Sequence, residues 1–181
     1  MDSIIKHKEL IEIEVPQDDS AEIGEKLFLY GLLRALKPKV IVETGTHKGK
    51  TTLYMLCALQ DNGLGHLHTY DPFEWGQIGN FRKFPELEKL VTYYQQKGKD
   101  CQVDNIDFAF IDGFHETEVV LEEINSIAPR LTETGIMVFH DCLYSRPFAE
   151  SVNKACELAG LKTVWLPTFN GIRIYGKANQ D

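Results

Sequence analysis

Within ten residues, Val42-Glu43-Thr44-Gly45-Thr46-His47-Lys48-Gly49-Lys50-Thr51, the chain places two glycines, a carboxylate, two lysines and three threonines. The segment follows the apolar run Val40-Ile41-Val42 and precedes a helix-like stretch from Thr52 to Leu59. A strand that breaks into a glycine turn and then a helix is how α/β proteins hold a small ligand. The glycines let backbone approach it, and free N–H groups at the helix start face it. Gly49-Lys50-Thr51 has the ending of a phosphate loop, GxxxxGK[ST], but the leading glycine should stand at Thr44, and Gly45 comes one residue late. Glu43 beside the loop would also repel a phosphate. A dinucleotide fingerprint starting at Gly45 fails twice, at His47 and at Lys50.

Further polar residues close the other apolar runs, where ligands of open α/β sheets bind. Asp71 ends His66-Leu67-His68-Thr69-Tyr70. A carboxylate there can accept ribose hydroxyls, although Asp before Pro72 also suits a plain turn. Asp112 ends Phe108-Ala109-Phe110-Ile111, and His140-Asp141 ends Ile136-Met137-Val138-Phe139. Two aspartates suit Mg²⁺, whereas His140 with Asp141 would suit a softer divalent metal such as Mn²⁺, Fe²⁺ or Zn²⁺. His115, with a pKa near neutrality, can act as a base without any metal, or simply cap the next helix.

The pattern acidic-x-Gly-x-x-x-Gly-x-Thr, filled by Glu43, Gly45, Gly49 and Thr51, resembles the first motif of class I S-adenosylmethionine (SAM) methyltransferases. The likeness is closest to their small O-methyltransferase branch. Ile111-Asp112-Gly113-Phe114-His115 resembles that branch's IDGxH motif, and Gly135 to Asp141 resembles its following strand. With these segments the resemblance runs from about residue 20 to residue 176. It implies cofactor contacts at Glu43, Gly45, Thr46, Gly49, Thr51, Asp71 and Asp112. It also implies an acceptor side lined by Asp112, His115 and Asp141. Metal-dependent catechol-type relatives hold magnesium on aspartates at the places of Asp112 and Asp141, with His140 here as an added candidate ligand. This chain departs from them at Cys142, where they carry an amide, and at His115, where they carry a lysine base. The expected activity is methyl transfer from SAM to a small-molecule hydroxyl, with His115 as base and a divalent metal as an optional aid. A SAM binder without catalysis and a nucleotide-hydrolysing enzyme remain as alternatives.

These residues need a scaffold, and the alternation of buried β runs with helical periodicity supplies one. Ile23, Leu27, Tyr30, Leu33 and Leu36 predict a helix over 21–36, capped near Asp18-Asp19-Ser20 and stopped by Pro38. Strands are expected at 40–43, 66–71, 91–94, 108–111 and 136–139, with helices at 51–60, 86–90, 116–127 and 145–159. A terminal hairpin joins 163–166 to 172–175 through Asn170-Gly171. The order predicts a Rossmann-like, doubly wound α/β fold, with helices on both faces of a mostly parallel sheet. The family resemblance makes that sheet seven-stranded, ending in an antiparallel hairpin. Residues 1–20 read as an N-terminal arm with an extended stretch at Ile11, Ile13 and Val15, and 21–181 as one domain.

Composition narrows the classes. At 181 residues and 43% hydrophobic the chain can bury a proper core. A formal charge of −8 argues against nucleic acid as a broad-surface partner. No transmembrane stretch or signal peptide is read, and four cysteines without a CxxC pair suit reduced thiols, so a cytoplasmic location is expected. Little sequence beyond the core is left to build a substrate lid. That shortage favours either a site shared in a homodimer or the non-catalytic alternative.

Overall fold

The computed structural model describes residues 20–75, 84–143 and 149–179. The expected arm up to residue 19, with its extended stretch, lies outside the described residues, as do Phe81 and Tyr144, two aromatic candidates for an acceptor pocket, and the start of the helix expected from Ser145. The elements run α1 (Ser20–Leu36), β1 (Val40–Thr44), α2 (Lys50–Asn62), β2 (His66–Tyr70), α3 (Pro85–Glu88) and β3 (Val91–Tyr94). They continue β4 (Ile106–Ile111), α4 (Thr117–Ile127), β5 (Leu131–Phe139), α5 (Ala149–Leu158), β6 (Thr163–Leu166) and β7 (Ile172–Gly176). The strands form one seven-stranded sheet in the order β3-β2-β1-β4-β5-β7-β6. The first five are mutually parallel, and β7 inserts antiparallel between β5 and β6.

Side chains of successive strand residues point to opposite faces, and each face has its own core. Ile41, Leu67, Phe108 and Phe110 pack with Leu29 and Leu33 of α1 and with Met55, Leu56 and Leu59 of α2. Val42, Ala109, Ile111, Met137 and Phe139 pack on the other face with Val120 and Ile124 of α4 and Val152 and Cys156 of α5. The central strands are apolar on both faces for this reason, and the sequence shows them as unbroken runs rather than alternations. All four cysteines are buried free thiols. No helix among the described residues is long and apolar enough to cross a membrane.

β5 is the one strand that starts well before its expected limit, at Leu131 instead of Ile136. Its first half, Thr132-Glu133-Thr134, is polar and partly exposed, so hydrophobic pattern alone hides it. Ile106 pairs with Leu131 and Phe108 with Ile136, so the ladder absorbs an irregularity before it reaches the apolar stretch.

The register matters most at the carboxyl ends. Thr44 of β1 lies opposite Tyr70 and Ile111, and Ile111 lies opposite Phe139. The ladder continues one step past each strand: Gly45 N–H donates to Tyr70 O, Asp71 N–H to Tyr94 O, Asp112 N–H to Thr44 O and His140 N–H to Ile111 O, at 2.9–3.1 Å. Gly45, Asp71, Asp112 and His140 therefore share one edge of the sheet. Gly45 has a φ of +88°, and a Cβ there would lie 2.0 Å from the carbonyl oxygen of Asp112. Only glycine lets the β1 loop pass so close to the end of β4.

Glu43 and Thr44 point to opposite faces, and each meets a buried polar partner. Glu43 Oε2 accepts hydrogen bonds from Thr52 Oγ1 of α2 (2.8 Å) and from Thr69 Oγ1 of β2 (2.6 Å). Thr44 Oγ1 donates to Glu123 Oε2 of α4 at 3.0 Å. Glu43 is fully buried and its Oε1 has no hydrogen-bond partner among the described residues. Burial pushes its carboxyl up to about 8, against the two hydroxyl bonds that favour the ionised form. The folded state thus binds a proton that the unfolded chain releases above the ordinary value of 4.5. Glu43's contribution is fully present below that value and lost as pH climbs through about 8. Glu43→Gln keeps an oxygen for both threonines and removes the titration. In urea unfolding between those limits, the substitution should flatten the wild-type decline by about 1.4 kcal/mol per pH unit. Parallel pH profiles for the two proteins would show that Glu43 is ionised in the fold.

Candidate functional site

The carboxyl edge of the sheet opens into a cavity of about 850 Å³. That is ample for a nucleoside-sized ligand together with a small second molecule. Three groups from the sequence expectation meet in its lining: the β1 loop through Gly45, Thr46 and Thr51, then Asp71, and finally the set Asp112, His115 and Asp141. Two expected cofactor contacts do not line it. Glu43 sits behind the loop, because its side chain turns into the α2 face, where Thr52 and Thr69 hold it. Gly49 is the left-handed N-cap of α2 (φ +72°), and its N–H donates to Thr46 O at 2.7 Å. Both shape the loop from beneath: Thr69 hydrogen-bonds Thr46 at 2.6 Å, which links Glu43 to a residue of the wall.

Asp71 is nearly buried and already well used. Its Oδ2 accepts the N–H of His47 (2.9 Å) and Nε1–H of Trp75 (3.1 Å), and its Oδ1 accepts the N–H of Phe73 (2.9 Å). The carboxylate thereby ties the β1 loop to the segment after β2. Trp75, Phe73, His47 and Phe114 form a rim of rings on the cavity, with His47–Trp75 centroids 4.6 Å apart and Phe73–Phe114 centroids 5.8 Å apart. Asp100 and Cys101, which follow β3, do not line the cavity, and Cys101 belongs to the core. Their neighbours Gly98 and Lys99 line it instead. Phe169, in the loop before β7, is exposed and outside the lining.

At the ends of β4 and β5 the charges interlock. His115 Nε2 lies 2.9 Å from Asp141 Oδ2 and 3.8 Å from Asp112 Oδ1. One ligand atom from each of Asp112, His115 and Asp141 falls within 4.8 Å of the others, a set able to hold a cation. His140, expected as a metal ligand, is committed elsewhere. Its Nδ1 lies 3.0 Å from Asp112 Oδ1 and its Nε2 3.0 Å from Glu25 Oε2. Carboxylates only accept, so both ring nitrogens donate and His140 is an imidazolium with no lone pair for a metal. The third donor beside the aspartates is His115. Asp141 adopts a left-handed φ of 56°, and the turn it makes there brings both His140 and Asp141 into the lining.

The pKa directions follow from this packing. Burial works against charge on every member, but the neighbours outweigh it. His115 is pushed up to about 9 by Asp112 and Asp141, and His140 is raised much further by Asp112, Asp141 and Glu25. Asp112 and Asp141 are held below the ordinary carboxylate range by the two imidazoles.

No sequence motif points to Glu25, which α1 brings beneath His140. Its Oε1 accepts Thr168 Oγ1 (2.5 Å) and the N–H of Asn170 (2.8 Å), and its Oε2 accepts Asn170 Nδ2 (3.0 Å). In the sequence Glu25 is one polar residue of an amphipathic helix. The signal that was available is its place on the same helical face as the apolar Leu29 and Leu33.

Comparisons with known proteins fit this architecture. A structure from Staphylococcus aureus, a candidate caffeoyl-CoA O-methyltransferase, is similar at a TM-score of 0.68 and 21% identity, over 97% of this chain and 92% of that one. The Podospora anserina methyltransferase PaMTH1, with S-adenosylhomocysteine (SAH) bound, aligns at 0.67 and 16% identity over 96% and 87% of the two chains. The O-methyltransferase TomG from Streptomyces achromogenes, in complex with SAM, aligns at 0.67 and 16% identity over 96% and 86%. These likenesses concern the fold. No curated protein matches the sequence. The family described as methyltransferase domain matches residues 42–142, from the second half of β1 to just past Asp141. With that match spanning more than half of its length, the chain belongs to this methyltransferase-domain family.

Proposed function

We propose that this enzyme transfers a methyl group from SAM to a hydroxyl oxygen of a small molecule, with the cofactor on the β1 loop and Asp71 and the acceptor facing Asp112, His115 and Asp141. The observation that carries the reading is one cavity lined by all three groups at once. SAM, when bound, supplies a methyl group on a sulfonium that leaves as a neutral thioether. The protein's task is to align the acceptor oxygen with that methyl and to take the proton of the hydroxyl.

Asp71 suits a ribose, because a carboxylate has about four acceptor sites and three donors already use three of them. A second ribose hydroxyl would take the place of Trp75 Nε1–H. A phosphate finds less support here. The His47 amide of the loop is spent on the Asp71 carboxylate, and although Lys48 and Lys50 also line the cavity, carboxylates outnumber lysines in its wall.

The acceptor side has two aspartates held ionised and one imidazole between them. Two hard oxygens and a nitrogen make a donor set that Mg²⁺ or Mn²⁺ would fit, on Asp112, Asp141 and His115. A divalent cation there would supply charge that lowers the pKa of the acceptor hydroxyl. In the arrangement described, His115 keeps its proton at neutral pH, so it becomes free to act as base only as pH rises to and above its value of about 9.

Calorimetry should show binding of both SAM and SAH, with Asp71→Ala weakening each at least about tenfold, the equivalent of a charged hydrogen bond or two. A protein that binds neither removes the proposal. Methyl transfer from labelled SAM should be measured over a panel of phenols, sugars and polyketide hydroxyls. There His115→Ala should lower the rate at least about a hundredfold while leaving SAH affinity unchanged. Undiminished transfer would reduce His115 to a structural role.

A further inference from the structure

One buried carboxyl in the cavity wall has no part in the chemistry above. Glu123 projects from the buried face of α4, is 4% exposed, and lines the cavity at the side away from α1. Its hydrogen-bond partner among the described residues is Thr44 Oγ1, on Oε2. Lys99, beside Gly98 in this part of the wall, pairs instead with the neighbouring Glu122 at 3.0 Å. Two glycines make room for the carboxyl. A Cβ at Gly98 would lie 2.5 Å from Glu123 Oε1, and one at Gly113 would lie 3.1 Å from the same atom. Glu123 Oε1 thus stands between the loops that follow β3 and β4, with bare backbone on both sides.

The position along the cavity says what could reach it. If the methyl donor faces Asp112, His115 and Asp141 at the ends of β4 and β5, and the ribose sits on Asp71 at the end of β2, the nucleoside runs towards the β3 edge of the sheet. A nucleobase beyond the ribose would meet the loop after β3, Gly98 and Lys99, against which Glu123 Oε1 stands. Resting on the SAM reading above, we propose that Glu123 reads the nucleobase, contacting an adenine edge through a paired hydrogen-bond donor and acceptor.

Burial pushes the Glu123 carboxyl up to about 8, against the Thr44 bond that favours ionisation, so at neutral pH it presents an O–H beside a carbonyl oxygen. An amide side chain offers the same donor–acceptor pair, which is how Asn and Gln grip the edge of adenine in nucleic acids. Oε2 can accept a second hydrogen bond beside that of Thr44, because a carbonyl oxygen has two lone pairs. Deamination to hypoxanthine turns the exocyclic donor into an acceptor, so a group of this kind tells the two bases apart.

The test is calorimetry at neutral pH with SAH and with S-inosylhomocysteine, on wild type, Glu123→Gln and Glu123→Leu, with circular dichroism to confirm folding. Wild type and Glu123→Gln should bind SAH within about threefold of each other and prefer it to the inosine analogue at least about tenfold, and Glu123→Leu should lose both affinity and preference. Equal binding of the two ligands by wild type overturns the proposal without reference to any variant. So does a folded Glu123→Leu that keeps the preference. Binding of neither ligand overturns the SAM reading and this inference with it.

Discussion

The site depends on the shared register of four parallel strands. One hydrogen-bonded step beyond β1, β2, β4 and β5 fixes Gly45, Asp71, Asp112 and His140 at a common edge. A slip of one residue in any strand would turn its terminal polar group into a core that has no water to receive it. The apolar residues of the two cores prevent that slip, since Ile41 and Val42, or Phe110 and Ile111, belong to opposite faces. Packing against α1, α2, α4 and α5 thus sets the position of each functional carboxylate.

The polar residues behind this edge are layered. Glu43 and Glu123 flank the end of β1 on its two faces, each bound by a threonine hydroxyl and each raised by burial to about 8. Both are acids held neutral inside the protein. The charges gather instead at the ends of β4 and β5, where two imidazoles and three carboxylates alternate from Glu25 through His140, Asp112 and His115 to Asp141. Such an alternation offsets the cost of burying each charge, which no single pair would do as well. It also ties α1 and the turn at Asn170 to Asp112, so the acceptor side is braced from elements distant in sequence.

Much of this was legible from residue order. Apolar runs ending in Asp71, Asp112 and His140-Asp141 located the strand ends, and Gly45 with the two following motifs carried the family resemblance that the match over 42–142 bears out. The positions that sequence misplaced share a cause. Motif spacing says which residues are near a loop, and not which way a side chain turns. Glu43 looked like part of the pocket and turns into the α2 core; His140 looked like a ligand and has both nitrogens spent on carboxylates. Glu25 and Glu123 sit on helices whose polar residues are mostly solvated, so the partners that bury them are tertiary contacts that motif spacing does not record. The polar opening of β5 escaped for a related reason, since partly exposed residues carry little hydrophobic signal.

The central claim is that the Gly45 loop, Asp71 and the Asp112–His115–Asp141 set serve one ligand and its reaction partner. Crystallography of the protein soaked with SAH tests it directly. The ribose hydroxyls should lie within hydrogen-bond distance of Asp71, with Trp75 Nε1 displaced from it and the thioether sulfur facing the two aspartates and the histidine. Density for the nucleoside elsewhere, or a sulfur turned away from that set while Asp71 keeps its hold on Trp75, would contradict the account.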